Sequence, residues 1–428
     1  MINRKKGPDI INIKKLFLPD TEIYSLPNGA QVCEVNLGSQ EIIKFEIFHH
    51  AGRIKEDFHL ASRAVSSLIK DGTTSKTSAQ ISEEIDYYGS SVKTASNMDF
   101  SYSTLFTLSK HCNRVLPLLQ DMYYHPVFLE DEVQKFKQLN IQKLKEELTK
   151  NDVITYRQIT EEIFGKNHPY GYNSTESDYQ ALSQEIIQNH YNQYLGSDNC
   201  YIFISGKINN EIRSLTSELF GSVEKASKHK EYNFTAPPVI GRKIGLKSKN
   251  EHQSAIKTGR HLFNKNHPDN PAFFLLNIIY GGYFGSRLMV NIREDKGYTY
   301  DISSSADQML HDGCFYVSTE AAPEYVTPLL NDIYHQMEVL KQDKVKSNEL
   351  SMVRNYLMGT FMNMLDGPLN ISSMVKTMVL SGKKPQDFLV FCEELLSLTP
   401  QNIIETAQKY FIPEEMTEVL VSPHPVSG

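Results

Sequence analysis

The sequence predicts an α+β fold made of two homologous, α/β-sandwich-like halves, each an antiparallel-rich sheet packed with helices. The first observation is an internal repeat: the nine residues that begin at Val115 recur from Val326 with six identities. The second is that a strand-like run precedes a helical apolar pattern in both copies. The third is a polar, basic run ending in Pro237-Pro238, which is typical of a linker. An internal duplication accounts for all three.

Local patterns place the main elements of each half. Strand-like runs cover residues 100–108 and 314–319, immediately before the two repeat copies. Longer stretches with apolar residues at helical spacing predict helices within 132–148 and 349–365. Near the start of the chain, the turn residues Asn28-Gly29 lie between two short apolar runs and predict a β-hairpin.

The repeat and the linker pattern together predict the domain organisation. We expect an N-terminal α+β domain over 1–224, a linker over 225–240 and a C-terminal α+β domain over 241–428. The apolar fraction of 40% is large enough for two sizeable cores, so a disordered chain is excluded.

Charge and cysteine usage narrow the class of protein. With 44 basic and 51 acidic residues the net charge is −7, which argues against nucleic acid as a partner. Five scattered cysteines without a C-x-x-C pair indicate a reducing compartment. No signal-peptide pattern and no run of about 18 apolar residues are visible, so we expect a cytoplasmic protein with no membrane partner.

The most informative segment covers residues 276–300. Its pattern predicts a helix that ends at Gly281-Gly282, a short polar loop, and a second helix that carries Arg287 and Arg293. Gly297 closes that helix as a C′ glycine, and Tyr300 then enters a strand. The glycines do not form G-x-G-x-x-G, so the segment does not support nucleotide binding.

This segment resembles the glycine-rich helix and the arginine–tyrosine element of the insulinase/pitrilysin-type metallopeptidases, which include the mitochondrial processing peptidases. Members carry an arginine and a tyrosine seven residues apart, and the resemblance maps these onto Arg293 and Tyr300. Tyr298, five residues after the arginine, is the weaker candidate. Such proteins are duplicated α+β chains, which agrees with the repeat, and the resemblance extends over nearly the whole sequence.

The zinc-binding helix of this family, H-x-x-E-H, maps onto a stretch that has lost its ligands. Counted back from Thr73, the three functional positions hold Arg63, Ser66 and Ser67. Arginine stays protonated and offers no lone pair, so it would repel a metal cation. Neutral serines are poor zinc ligands and cannot act alone as a general base near neutral pH. We therefore expect no metal or cofactor in this chain.

Other candidates for catalysis are weaker. The family's distal zinc glutamate maps near Glu146 or Glu147, and the sequence does not decide between them. The adjacent residues His49 and His50 would point to opposite faces of a strand, so they cannot share one metal ion. The sequence lacks a G-x-S-x-G nucleophile elbow, and Cys200 lies in an apolar strand pattern typical of core.

The resemblance implies a role for a chain without zinc. Some members are two-chain peptidases in which one subunit holds zinc and the other contributes the arginine–tyrosine pair. We therefore expect a substrate-binding subunit, inactive alone, whose Arg293 and Tyr300 bind peptide and stabilise an oxyanion in a homologous, zinc-bearing partner. The substrate would be a peptide or an unfolded protein. The sequence also allows the chain to form a homodimer. The alternative is a non-enzymatic structural or peptide-binding protein with the same fold.

Overall fold

The computed structural model describes residues 16–222, 231, 233–238, 240–248, 250 and 252–424. Much of the predicted linker, 225–240, lies outside the described residues, so the domain limits stay a prediction. The described part confirms an α+β chain with two sheets, one in each half.

The described residues form eleven strands and fourteen α-helices. The strands are β1 (Glu22–Ser25), β2 (Gln31–Asn36), β3 (Ile42–His49), β4 (Ser91–Ser96), β5 (Ser101–Leu108), β6 (Cys200–Gly206), β7 (Lys243–Lys247), β8 (Ser254–Leu262), β9 (Thr299–Gln308), β10 (Gly313–Ala321) and β11 (Thr417–Ser422). The helices are α1 (Ala61–Leu68), α2 (Ser78–Tyr87), α3 (Cys112–Tyr124), α4 (Glu130–Glu147), α5 (Asn151–Phe164), α6 (Glu176–Ala181), α7 (Gln184–Tyr194), α8 (Asn210–Phe220), α9 (Asn270–Asn277), α10 (Val326–Gln342), α11 (Ser347–Met364), α12 (Gly367–Leu380), α13 (Asp387–Ser397) and α14 (Pro400–Tyr410). None of these helices combines the length and apolar character needed to cross a bilayer.

The two sheets share the arrangement of five strands, and the first sheet has β1 as an additional edge strand. The first has the strand order β1-β2-β6-β3-β5-β4 and the second β7-β11-β8-β10-β9. Each contains one parallel pair, β2 with β6 and β7 with β11, and is otherwise antiparallel. The predicted hairpin is confirmed, because Ile23 pairs with Cys33 across β1 and β2. The strands β4 and β9 occupy equivalent edges, and α3 and α10, which hold the repeat, follow equivalent hairpins.

The two halves interlock by exchanging helices. Helix α5 of the first half packs on β8 and β11, whereas α12 of the second half packs on β6 and β2. A sheet needs a helix on each apolar face, and here one of those helices comes from the other half. Each exchanged helix makes an ion pair with the sheet beneath it, Asp152 with Lys257 and Lys376 with Glu46. The halves are therefore joined through both cores as well as by their connecting chain.

A buried histidine ends the central strand β3. His49 is fully buried and stacks on Tyr123, with 5.6 Å between the ring centroids. Neither of its ring nitrogens has a hydrogen-bond partner among the described residues. Burial lowers the pKa of His49 to about 3, because a charged imidazole would lose its hydration inside the core.

Acid is expected to destabilise the protein through His49. In the unfolded chain His49 has a pKa of about 6.5 and binds a proton below that pH. In the native chain the same imidazole stays neutral down to about pH 3, so acid favours the unfolded state. Between pH 6.5 and pH 5 this costs about 2 kcal/mol. His49→Phe keeps the ring stack and removes the titration, so urea unfolding should show about 2 kcal/mol less loss over that range. Parallel pH slopes for the variant and the wild type would contradict this role.

Candidate functional site

The three positions of the lost zinc motif lie on α1, which packs against β4 and β5. Residues at i, i+3 and i+4 share one face of a helix. Ser66 is buried and its hydroxyl has no hydrogen-bond partner within the described part of the chain, while Ser67 is half-buried. Arg63 is exposed and donates to the side-chain carbonyl of Asn140 at 3.0 Å.

A carboxylate caps the start of α1. Glu56 accepts hydrogen bonds from the backbone amides of Leu60 and Ser62, at 3.1 and 3.0 Å. It also accepts from the hydroxyl of Tyr172 at 2.6 Å. A negative charge is favourable where helix amides are unpaired, so Glu56 serves to hold this helix end. The cap residue Leu60 has φ = 69°, a left-handed conformation that is uncommon for a side chain of this size.

Arg53 is fixed beside the helix by the backbone before it. The amide of Gly52 donates to the carbonyl of Asp99 in the β4–β5 turn. A Cβ at Gly52 would lie 2.3 Å from the backbone nitrogen of Phe100 in the same turn. Only glycine allows this approach. The guanidinium of Arg53 then lies 3.4 Å from the ring centroid of Tyr172 and donates to the Tyr172 carbonyl. Arg53 is thus held by neutral groups.

These groups surround a cavity of about 230 Å³ next to the edge strand β4. Its lining includes Arg53 and Arg63, together with Ser96 at the end of β4 and Asn97 directly after it. Of the three mapped motif positions, Arg63 lines this cavity and Ser66 and Ser67 do not; its charged groups are two guanidiniums and the carboxylate of Glu56.

The structure distinguishes the two candidates for the distal glutamate. Glu147 is half-buried on α4, whereas Glu146 is exposed. Burial raises the pKa of Tyr179, the positive charge of Arg63 opposes that rise, and the negative charge of Glu147 adds to it. Glu147 therefore lies near Tyr179, whose ring centroid is 5.9 Å from the guanidinium carbon of Arg63 on α1.

The donor set on this helix does not fit zinc. A guanidinium and two neutral hydroxyls occupy the positions where two imidazoles and a general base would be required. Within the ranges that the structure describes, no group of three His, Cys, Asp or Glu side chains is placed to hold a metal ion. We therefore assign no metal-dependent step to this chain.

The second candidate region, which carries Arg293, corrects one expectation. The predicted second helix is in fact π-helical over Met289–Asp295, and a π-helical segment, Ile278–Gly282, also ends the helix before it. A π turn closes i→i+5 bonds, so the helical spacing of apolar residues does not reveal it. The predicted end is confirmed, because Gly297 has φ = 65° and its amide bonds to the carbonyl of Arg293.

Arg293 and Tyr300 lie together on the surface of the second half. The guanidinium carbon of Arg293 is 5.2 Å from the ring centroid of Tyr300 and 4.7 Å from that of Phe284. Tyr300 is 85% exposed and Phe284 64% exposed, so both rings are open to a ligand. Arg293 has no ion pair among the described residues, although the acidic residue Glu294 follows it directly. Aromatic faces hold the cation and leave its N–H groups available.

Tyr298, the weaker candidate for the family's tyrosine, packs against another aromatic ring. Tyr298 is half-buried and stacks on Tyr325, with 5.1 Å between ring centroids. The helical segment that carries Arg293 is fixed at its start by Arg287, whose guanidinium forms two hydrogen bonds, of 2.8 and 3.1 Å, with the carboxylate of Glu349. The pair Arg293 and Tyr300 is therefore displayed on a braced element.

Sequence reasoning missed three residues of these regions. Phe284 completes the aromatic support of Arg293, and it lies in the same glycine-rich segment. Arg53 and Tyr172 form the wall of the cavity near α1. Arg53 could have been noticed in the sequence because it directly follows Gly52. Tyr172 lies about 120 residues further along the chain, and only the fold brings it next to Arg53.

Two family models match this sequence. The model described as insulinase (peptidase family M16) matches residues 59–172, and the model described as peptidase M16 inactive domain matches residues 181–357. The uncharacterized zinc protease YmxG of Bacillus subtilis is 24% identical over 94% of this chain and 98% of its own length. The probable inactive metalloprotease YmfF of the same species is 19% identical over 57% of each chain.

Solved structures share the fold. A peptidase M16 inactive domain from Pseudomonas fluorescens has a TM-score of 0.88 at 17% identity and covers 95% of this chain and 99% of its own. The periplasmic protease PqqL from Escherichia coli has a TM-score of 0.78 at 14% identity, and the match covers 99% of this chain and 49% of that protein. The two family models together match well over half of the sequence. This chain belongs to the insulinase-type peptidase family M16, as a member that lacks the H-x-x-E-H zinc motif.

Proposed function

We propose that this chain is the substrate-binding, zinc-free subunit of a two-chain peptidase, in which Arg293 and Tyr300 complete the active site of a homologous zinc-bearing partner. The observation that carries the proposal is the exposed arrangement of these two side chains. Arg293 is supported by two aromatic rings, and no carboxylate among the described residues neutralises it. A surface cation kept in this way is suited to bind a ligand.

The chemistry of the pair fits peptide hydrolysis. A guanidinium offers a fork of N–H donors, and the phenol of Tyr300 offers an O–H donor. Both can donate to the carbonyl oxygen of a peptide bond, where negative charge develops in the transition state. The hydrolytic centre belongs to the partner in this proposal, so this chain contributes binding and charge stabilisation only.

The comparisons support a member that does not work alone. More than a third of the sequence matches a domain described as inactive, and YmfF is described as a probable inactive metalloprotease. The match to PqqL covers about half of that protein, which leaves room there for a second unit of similar size. The loss of donors at Arg63, Ser66 and Ser67 is a further reason to expect a partner.

Purified alone, the chain is expected to hold well below one zinc per molecule and to cleave no peptide, because its donor set is unsuitable. Mixed with a family M16 chain from the same organism that has an intact H-x-x-E-H motif, it should form a complex and cleave a quenched fluorescent peptide library. Metal analysis after mild dialysis, with the peptidase assay on the same samples, tests both statements. One tightly bound zinc per chain, or cleavage without a partner, would overturn the proposal.

A further inference from the structure

Two guanidinium groups line the cavity beside α1, and both are held by neutral partners. Arg63 donates to the amide oxygen of Asn140, and Arg53 donates to the backbone carbonyl of Tyr172. Neither forms an ion pair within the described part of the chain. The cavity of about 230 Å³ is lined by these two cations and by one carboxylate, that of Glu56, so its lining carries a net positive charge that favours an anion.

A third cation adds to this charge from behind the wall. Arg157 donates to the carbonyl of Ser174, which lines the cavity, at 2.7 Å. Burial lowers the pKa of Arg157, and the positive charge of Arg53 lowers it further, so these two cations are close enough to repel each other. Glu56 is the one acid among the described lining residues, and its oxygens accept hydrogen bonds from the start of α1 and from Tyr172.

We propose that this cavity binds a carboxylate of a peptide, with Arg63 and Arg53 as its donors. A planar guanidinium matches a carboxylate in a two-point hydrogen bond, which a metal site at the same place would not form. Ser96, the last residue of the edge strand β4, and Asn97 line the cavity. An unpaired strand edge can add an extended peptide through backbone hydrogen bonds, which brings a peptide carboxylate within reach.

This inference rests on the peptide-binding part of the proposed function, but on neither Arg293 nor the partner. It assigns a ligand to the very helix that has lost its catalytic residues. The ligand carboxylate is either a chain terminus or an acidic side chain, since both present the same two oxygens.

The test is fluorescence anisotropy with the chain alone and three labelled hexapeptides of alanine, valine and threonine. One has a free C-terminus, one has an amidated C-terminus, and one is amidated but contains a single glutamate. We expect at least one carboxylate peptide to bind 10-fold or more tighter than the neutral amide. Arg63→Gln should abolish that preference without changing the affinity for the amide. Lys70→Gln is the matched control, because Lys70 is an exposed cation just beyond α1 that does not line the cavity.

The outcomes separate the two proposals. Tighter binding of the free terminus assigns the site to a chain end, whereas tighter binding of the glutamate peptide assigns it to a side chain. Equal affinities for all three peptides would overturn the carboxylate site and leave peptide binding intact. Failure of every peptide to bind the chain alone would overturn the carboxylate site, whereas the proposed function is tested separately by the peptidase assay with the partner. Equal losses in Arg63→Gln and Lys70→Gln would show only a general charge effect and would also overturn the site.

Discussion

Replacing Arg293 with alanine is expected to lower kcat/KM of the reconstituted two-chain peptidase by about 10²- to 10³-fold. Removing one donor to a developing oxyanion costs about 2.7–4 kcal/mol in the transition state, which corresponds to a loss of this size. The rings of Phe284 and Tyr300 remain in place in the variant, so the loss would reflect the guanidinium alone. The measurement is steady-state cleavage of a fluorogenic peptide with saturating partner.

A control on the same element separates this role from general damage. Lys296 lies three residues after Arg293 and pairs with Asp332, with both groups at least partly exposed. Lys296→Ala removes a similar positive charge and should change kcat/KM less than 3-fold, because an exposed ion pair contributes little. Tyr300→Phe removes only the hydroxyl and should lower kcat with a smaller effect on KM. Normal activity of the double variant R293A/Y300F would contradict the assignment.

Local chemistry made several features predictable from the sequence. The Asn28-Gly29 turn predicted a hairpin, and the hairpin forms, with Ile23 opposite Cys33. Gly297 was predicted as a helix-ending residue, and its positive φ confirms the reason. The stretch that the resemblance maps onto the zinc-binding helix does form a helix, α1, despite the loss of its functional residues. These features depend on neighbours a few residues apart, which the sequence displays directly.

Features that depend on distant partners could not be predicted in this way. Helices α5 and α12 look like ordinary amphipathic helices, and nothing local shows that each covers the sheet of the other half. The π-helical segment at Met289–Asp295 differs from an α-helix by one residue per turn, which apolar spacing cannot reveal. That Glu147 is half-buried and Glu146 exposed depends on how α4 packs against its neighbours, which the sequence does not show.

The exchange of helices between halves is stabilised by a buried ion cluster. Glu46 on β3 lies 2.7 Å from the amine of Lys376 on α12 and 2.8 Å from the amine of Lys44 on its own strand. The side chains of Glu46 and Lys44 are 3% and 9% exposed, and that of Lys376 is 19% exposed. One carboxylate therefore compensates two amines that have little access to water.

Glu46→Gln is expected to lower the free energy of unfolding by about 3–5 kcal/mol, because it leaves both lysines buried without a counter-charge. Glutamine keeps the size of the side chain, so packing is little changed. The matched control is Glu41→Gln, whose partner Lys207 is 55% exposed and whose own side chain is 59% exposed. An exposed pair contributes about 0–1 kcal/mol, so this control should unfold almost as the wild type does.

The loss should fall on the first unfolding transition, because the cluster joins α12 of the second half to the sheet of the first. Chains of this size commonly unfold in more than one step, so urea titrations followed by hydrogen exchange should resolve which elements open first. We expect α12 and the strands β2 and β6 to lose protection together in Glu46→Gln. Adding Lys376→Met to Glu46→Gln removes one of the two unpaired cations and should recover part of the lost free energy of unfolding, because the two residues are in contact. Equal shifts for Glu46→Gln and Glu41→Gln would show that the cluster contributes no more than a surface ion pair.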